Sequence, residues 1–138
     1  MFYFGVSFRL CFYLEYIDLS ASGLRGTVPP AMGNLRNLKT LILDSNELTG
    51  HVPTALGLVE NLTHLSLKQN FLVGTLPPQL GRLYNLEQLK LDQNELTGSI
   101  PTELFGCRNI TQFFMYNNHF TGTIPSEIGQ LGRVQNCK

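Results

Sequence analysis

Residues 48–57 read LTGHVPTALG and residues 96–105 read LTGSIPTELF, one phrase returning after 48 positions with its Leu, Thr, Gly, Pro and Thr in place. LRG at residue 24, LVG at 72 and FTG at 120 fall on the same grid and halve the interval, so the period is 24. A unit this short cannot fold alone, because burying its few apolar side chains does not offset the cost of ordering its backbone. Stacked copies solve the problem by sharing their buried faces. The period therefore dictates a solenoid with one turn of chain per repeat.

Counted from Leu14, five units follow without insertion or deletion: 14–37, 38–61, 62–85, 86–109 and 110–133. Residues 1–13 form an N-terminal flank, and 134–138 begin a sixth unit. Positions 1, 4, 6, 11, 15, 19 and 22 are apolar in every copy, from Leu14, Ile17, Leu19, Leu24, Val28, Met32 and Leu35 to Ile110, Phe113, Met115, Phe120, Ile124, Ile128 and Leu131. These columns are the expected core. Apolar positions 4 and 6 around an outward position 5 have the alternation of a strand, so each unit offers one short strand, such as Leu65, Ser66, Leu67. Equivalent strands running the same way pair as a parallel sheet, at roughly 4.7–4.9 Å per rung.

Three polar or special columns accompany the core. Position 9 is Asn46, Asn70, Asn94 and Asn118, with Ser22 in the first unit. An amide can donate to one turn's carbonyl while accepting from another's N–H, so this column reads as a structural Asn ladder. Position 13 is always Gly, where a positive φ or a close backbone approach is expected, and position 16 is always Pro, which fixes φ as the chain turns outward. Position 20 is Gly in four units and Phe105 in the other.

Ten acidic residues balance ten basic ones, which gives no electrostatic reason to expect nucleic acid or an anionic membrane as partner. Cys11, Cys107 and Cys137 are too far apart for a zinc site and odd in number for a disulfide framework. Cys107 takes the core Leu of position 22 and behaves there as a small hydrophobe. No stretch approaches the roughly 20 apolar residues of a membrane-spanning helix. The apolar opening MFYFGVSFRLCFYL lacks a basic start and a small-residue cleavage site and is interrupted by Arg9, so it makes a poor signal peptide. His51, His64 and His119 occupy unrelated columns, and no hydrolase, phosphate-binding or kinase motif is present. Catalytic residues, metal and cofactor are not expected.

Function must then sit on the outward columns of the strand face. Position 3 supplies Tyr16, Thr40, His64, Gln88 and Gln112, and position 5 supplies Asp18, Ile42, Ser66, Lys90 and Phe114. Position 7 supplies Ser20, Asp44, Lys68, Asp92 and Tyr116, and position 8 supplies Ala21, Ser45, Gln69, Gln93 and Asn117. Asp44, Lys68 and Asp92 alternate in sign on successive rungs. They read either as an exposed charge ladder satisfying itself or as a polar patch that orients a peptide or glycan. Phe114 and Tyr116, in QFFMYNN, place two outward aromatics on the last complete rung. Contact with a ligand and packing against further repeats are both open readings. Asn61-Leu62-Thr63 and Asn109-Ile110-Thr111 are N-glycosylation acceptors at position 24.

With LxxLxLxxNxLxGxIPxxLGxLxN spelled out, the chain resembles leucine-rich repeat proteins of the 24-residue plant type, across residues 14–133. The resemblance implies an α/β-type repeat solenoid: a right-handed superhelix with a concave parallel sheet and short outer 3-10 or irregular segments. Such repeats occur in plant receptor-like kinases, receptor-like proteins and polygalacturonase inhibitors, and similar ones occur in algae. Most like a receptor ectodomain, the chain is expected to bind a peptide, glycan or protein ligand on its concave face. A co-receptor, an extracellular setting and a kinase in a longer parent protein are part of that implication. A secreted inhibitor of a cell-wall hydrolase and a cytoplasmic scaffold are the alternatives. Tyr3-Phe4-Gly5-Val6-Ser7-Phe8 echoes the family's cysteine-paired cap without its cysteines, and the chain stops inside a repeat, as a fragment would.

Overall fold

The computed structural model describes residues 13–137. The expectations of a degenerate cap and a poor signal peptide fall on the first twelve residues and lie outside those described. Among the described residues each full turn repeats one order: a strand, a second strand, then a short 3-10 segment. The first strands are β1 (Tyr16–Asp18), β3 (Thr40–Ile42), β5 (His64–Ser66), β7 (Gln88–Lys90) and β9 (Gln112–Phe114), joined by β11 (Asn136–Cys137) from the sixth unit. They form one parallel sheet in sequence order, in a register that aligns Ile17, Leu41, Leu65, Leu89 and Phe113. The alternation inside LxL predicts this sheet, and the side chains at position 4 enter the core from it.

A second parallel sheet was not legible in the apolar spacing. It consists of β2 (Arg25–Thr27), β4 (Glu47–Gly50), β6 (Phe71–Gly74), β8 (Glu95–Gly98) and β10 (His119–Phe120). Only one apolar column, position 11, points inward here, so the strand has too little alternation to announce itself. The invariant Gly at position 13 ends or interrupts it at positive φ, as at Gly50 (φ 75°) and Gly98 (φ 76°).

The outer side carries no α-helix among the described residues. Its elements are the 3-10 segments η1 (Pro30–Asn34), η2 (Thr54–Leu58), η3 (Pro78–Arg82), η4 (Thr102–Gly106) and η5 (Ser126–Gln130). Pro at position 16 stands before each in extended conformation, and five residues are too few for more than a tight turn of helix. Position-20 glycines let these segments stack. A Cβ at Gly57 would overlap the carbonyl of Gln79, and one at Gly81 the carbonyl of Glu103. Phe105, the exception, is buried and meets Phe113 edge to face at 6.4 Å between ring centres. Its bulk goes into the core, and η4 packs less closely on η5 than the preceding segments pack on each other.

The expected core columns are buried through the middle turns, from Leu38 to Leu96. At the ends the same columns open: Leu19 is 36% exposed and Ile124 is 69% exposed. Between turns, the Asn column supplies the hydrogen bonds that the apolar core cannot. Asn70 Nδ2 donates to the carbonyls of Leu43 at 3.0 Å and Leu67 at 3.1 Å, while its Oδ1 accepts the Leu48 N–H at 3.1 Å. Asn46, Asn94 and Asn118 repeat the pattern one turn apart.

Candidate functional site

The register of the six-stranded sheet brings the outward columns together. Tyr16, Thr40, His64, Gln88 and Gln112 align across one row, and Asp18, Ile42, Ser66, Lys90 and Phe114 across the next. Asp44, Lys68, Asp92 and Tyr116 follow just beyond the strand ends. The next residue in each turn, Ala21, Ser45, Gln69, Gln93 or Asn117, has φ between 50° and 59°. That left-handed kink turns position 8 out of the strand, and most of these residue types give no warning of it. Ser45 Oγ donates to Gln69 Oε1 at 2.8 Å within that column.

The two halves of the face differ. At the N-terminal end Asp18 and Tyr16 are exposed, and the Ser20 hydroxyl and amide hold the Asp18 carboxyl below its usual range. In the middle turns the face closes over its charges. Asp44 accepts the Lys68 N–H at 3.1 Å and lies 4.0 Å from its ammonium. Burial pushes the Asp44 carboxyl above the usual carboxylate range, against the pull of the nearby Ser66 hydroxyl and of Lys68. Asp92 is only 2% exposed, and its Oδ1 has no hydrogen-bond partner. The reading of Asp44, Lys68 and Asp92 as an exposed charge ladder is therefore corrected for the two acids, which are half-buried and buried, while the pairing of Asp44 with Lys68 holds. The acids thus sit in a drier place than an outward column suggests.

The aromatics border this patch. Lys90 Nζ lies 5.9 Å from the centre of the Phe114 ring, a cation–π contact. Tyr116 is 44% exposed, and a hydrogen bond from its hydroxyl to the Asp92 carboxylate, with that carboxylate's charge, holds the phenol above its ordinary pKa. Beyond the last complete rung, which holds Phe114, β11 of the sixth unit pairs with β9. His64 Nδ1 and the Thr63 hydroxyl are 2.8 Å apart, and Gln88 and Gln112 line the row beside it, half-buried. Among the described residues no cluster of His, Cys, Asp or Glu could hold a metal ion, and no helix is long and apolar enough to cross a membrane.

Position 24 carries a second Asn ladder on the outer edge. Asn61 donates to Arg36 O, Asn85 to Glu60 O and Asn109 to Tyr84 O, each at 2.9 Å. The repetition of Asn was visible in the sequence, and its structural use was not. The acceptor threonines are engaged too: Thr63 Oγ1 donates to Lys39 O at 2.9 Å and Thr111 Oγ1 to Glu87 O at 3.1 Å.

Two overlapping matches to the leucine rich repeat family span residues 12–72 and 60–120. The chain belongs to the leucine-rich repeat family. No curated relative matches it. Among solved structures it is similar to the leucine-rich repeat ectodomain of the membrane receptor kinase GASSHO1/SCHENGEN3 from Arabidopsis thaliana, in complex with CASPARIAN STRIP INTEGRITY FACTOR 2. That likeness has 38% identity over 93% of this chain and 15% of that one, with a TM-score of 0.91. The PEPR1-AtPEP1 structure matches at 38% identity over 92% of this chain and 18% of that one, with a TM-score of 0.89. The Arabidopsis receptor kinase HAESA, in complex with the peptide hormone IDA and the co-receptor SERK1, matches at 35% identity over 88% and 20%, with a TM-score of 0.84. This leucine-rich repeat chain thus spans a fifth or less of each of these three.

Proposed function

We propose that this chain is a non-catalytic recognition module, part of a receptor-like ectodomain, that binds a peptide or protein on the C-terminal half of its concave sheet. The buried, unpartnered Asp92 Oδ1, with Tyr116 beside its carboxylate and the Lys90–Phe114 contact on the same face, carries the reading. A carboxylate oxygen shut away without a donor is costly beside an Asn ladder that is satisfied turn after turn, and a ligand that supplies a donor removes that cost. The aromatic pair offers the apolar anchorage that hot spots use. The relatives' peptide and co-receptor complexes support a protein or peptide partner over a small molecule. A kinase, where the parent protein has one, lies outside these residues, and the setting is extracellular, with Asn61 and Asn109 as glycan acceptors.

The test is an arrayed library of synthetic peptides probed with the full 138-residue chain. Binding that disappears in the Phe114→Ala/Tyr116→Ala double variant, and persists in Tyr16→Ala at the other end of the sheet, is the expected result. Peptides that bind both variants equally would move the site off this half of the face.

A further inference from the structure

The outer face has one irregular place, and the repeat itself shows why. Position 20 and position 21 read Gly-Asn, Gly-Leu and Gly-Arg in the first three units, then Phe105-Gly106 in the fourth. Phe105 turns inward to the core, so Gly106 leaves the outer surface bare where the other units carry a side chain. A notch of about 390 Å³ opens there, between η3 and η4. Tyr84, 63% exposed, forms one wall, with its Cε1 4.0 Å from where a Gly106 Cβ would stand. Arg82, Glu103 and Gln79 complete the polar lining. Neither Arg82 nor Glu103 is ion-paired among the described residues, and Gln79 has a buried Oε1 with no donor.

We propose that this notch is a saccharide site that seats one pyranose residue of an N-glycan against the Tyr84 ring. The composition selects that chemistry. One cation and one carboxylate cancel, which disfavours a charged ligand, while together with the amide they offer donors and acceptors to hydroxyls that need both. The polarised C–H face of a pyranose complements the negative face of an aromatic ring, and Tyr84 is exposed for no packing reason of its own. The nearest source is attached to the wall. Asn109 uses one Nδ2 hydrogen to bond Tyr84 O at 2.9 Å, and N-glycosylation replaces only the other, forming the bond to sugar C1 as the activated donor's diphosphate leaves. The structural hydrogen bond survives the modification. Asn61, the other acceptor, closes a unit in which Leu58, not Gly, occupies position 21.

The proposal goes beyond the concave-face reading and is tested separately from it. In one arm, unglycosylated protein is titrated with N,N′-diacetylchitobiose while amide and Tyr84 ring resonances are followed by NMR. In the other, protein glycosylated at Asn109 is examined for nuclear Overhauser contacts between the Tyr84 ring and the first two sugars. Saturable shifts at Gly81 and Gly106, weakened tenfold or more by Tyr84→Ala and by Arg82→Gln, establish the site. Ring-to-sugar contacts in the second arm identify the chain's own glycan as occupant, and shifts without such contacts identify a free glycan. No shift in the first arm and no contact in the second overturns the proposal.

Discussion

The middle turns and the last turn obey one sequence pattern and have different physics. Position 15 is apolar in both, yet Leu76 is 2% exposed and Ile124 is 69% exposed. Position 20 is Gly in both, yet a Cβ at Gly57 would collide with Gln79 while one at Gly129 meets nothing within 4 Å. Asn70 is buried, and Asn118, with equivalent bonds, is half-buried. A repeat's sequence specifies what it can bury, and the neighbouring turn decides whether it does. This is why solenoid stability resides in interfaces between turns.

The comparison can be broken most severely in the core. Leu67→Ala in the middle should cost about 3–5 kcal/mol, because the leucine is fully enclosed and the neighbouring turns cannot collapse into the hole, whereas Ile124→Ala should cost well under about 1 kcal/mol. Urea denaturation of both variants reads the contrast, and equal losses would contradict it. On the outer side, Gly57→Ala should destabilise by about 1–3 kcal/mol through overlap with the backbone of η3, and Gly129→Ala should be neutral or slightly stabilising. Thermal melts suffice to rank them.

Two titrations sharpen the picture with smaller effects. Burial pushes the Cys107 thiol up to about 11 from an ordinary 9.0. A folded pKa above the unfolded value means that the unfolded chain loses its proton first. The associated stability, on the order of 2 kcal/mol, is intact below pH 9 and lost as pH rises toward 11. Cys107→Ala should flatten the stability profile in that window, and an unchanged slope would count against the buried thiol as its cause. Asp44 is also raised by burial, so its charged form weighs against folding once the pH exceeds 3.8, the ordinary value. Asp44→Asn should raise the midpoint of unfolding at neutral pH and leave it unchanged well below pH 3.8. A lower midpoint at pH 7 would show that the contact with Lys68 outweighs the desolvation.

Much of this molecule is readable from its residues because one interaction repeats. A 24-residue period, LxL alternation and invariant Asn, Gly and Pro leave one way to stack, so the strand face, the core columns and the family follow from sequence. Phe105 announced itself as an exception but not where its ring would go, since inward and outward rotamers suit the same pattern. The outward columns were less legible still. Asp92 and Lys68 occupy the same column, and only the side chains of adjacent rungs make one buried and the other half-exposed.

The sequence by itself thus determined the repeat, the sheet and its register, because backbone pairing and apolar burial depend on periodic spacing that a single chain displays. Tertiary structure alone decided the second sheet, the burial of Asp92, the left-handed kinks at position 8 and the notch at Gly106. Each of these depends on how much space the next turn leaves, and that distance is set by side chains 22 to 24 residues away, as in the Asn70 bond to Leu48 and the Asn61 sequon threonine's bond to Lys39.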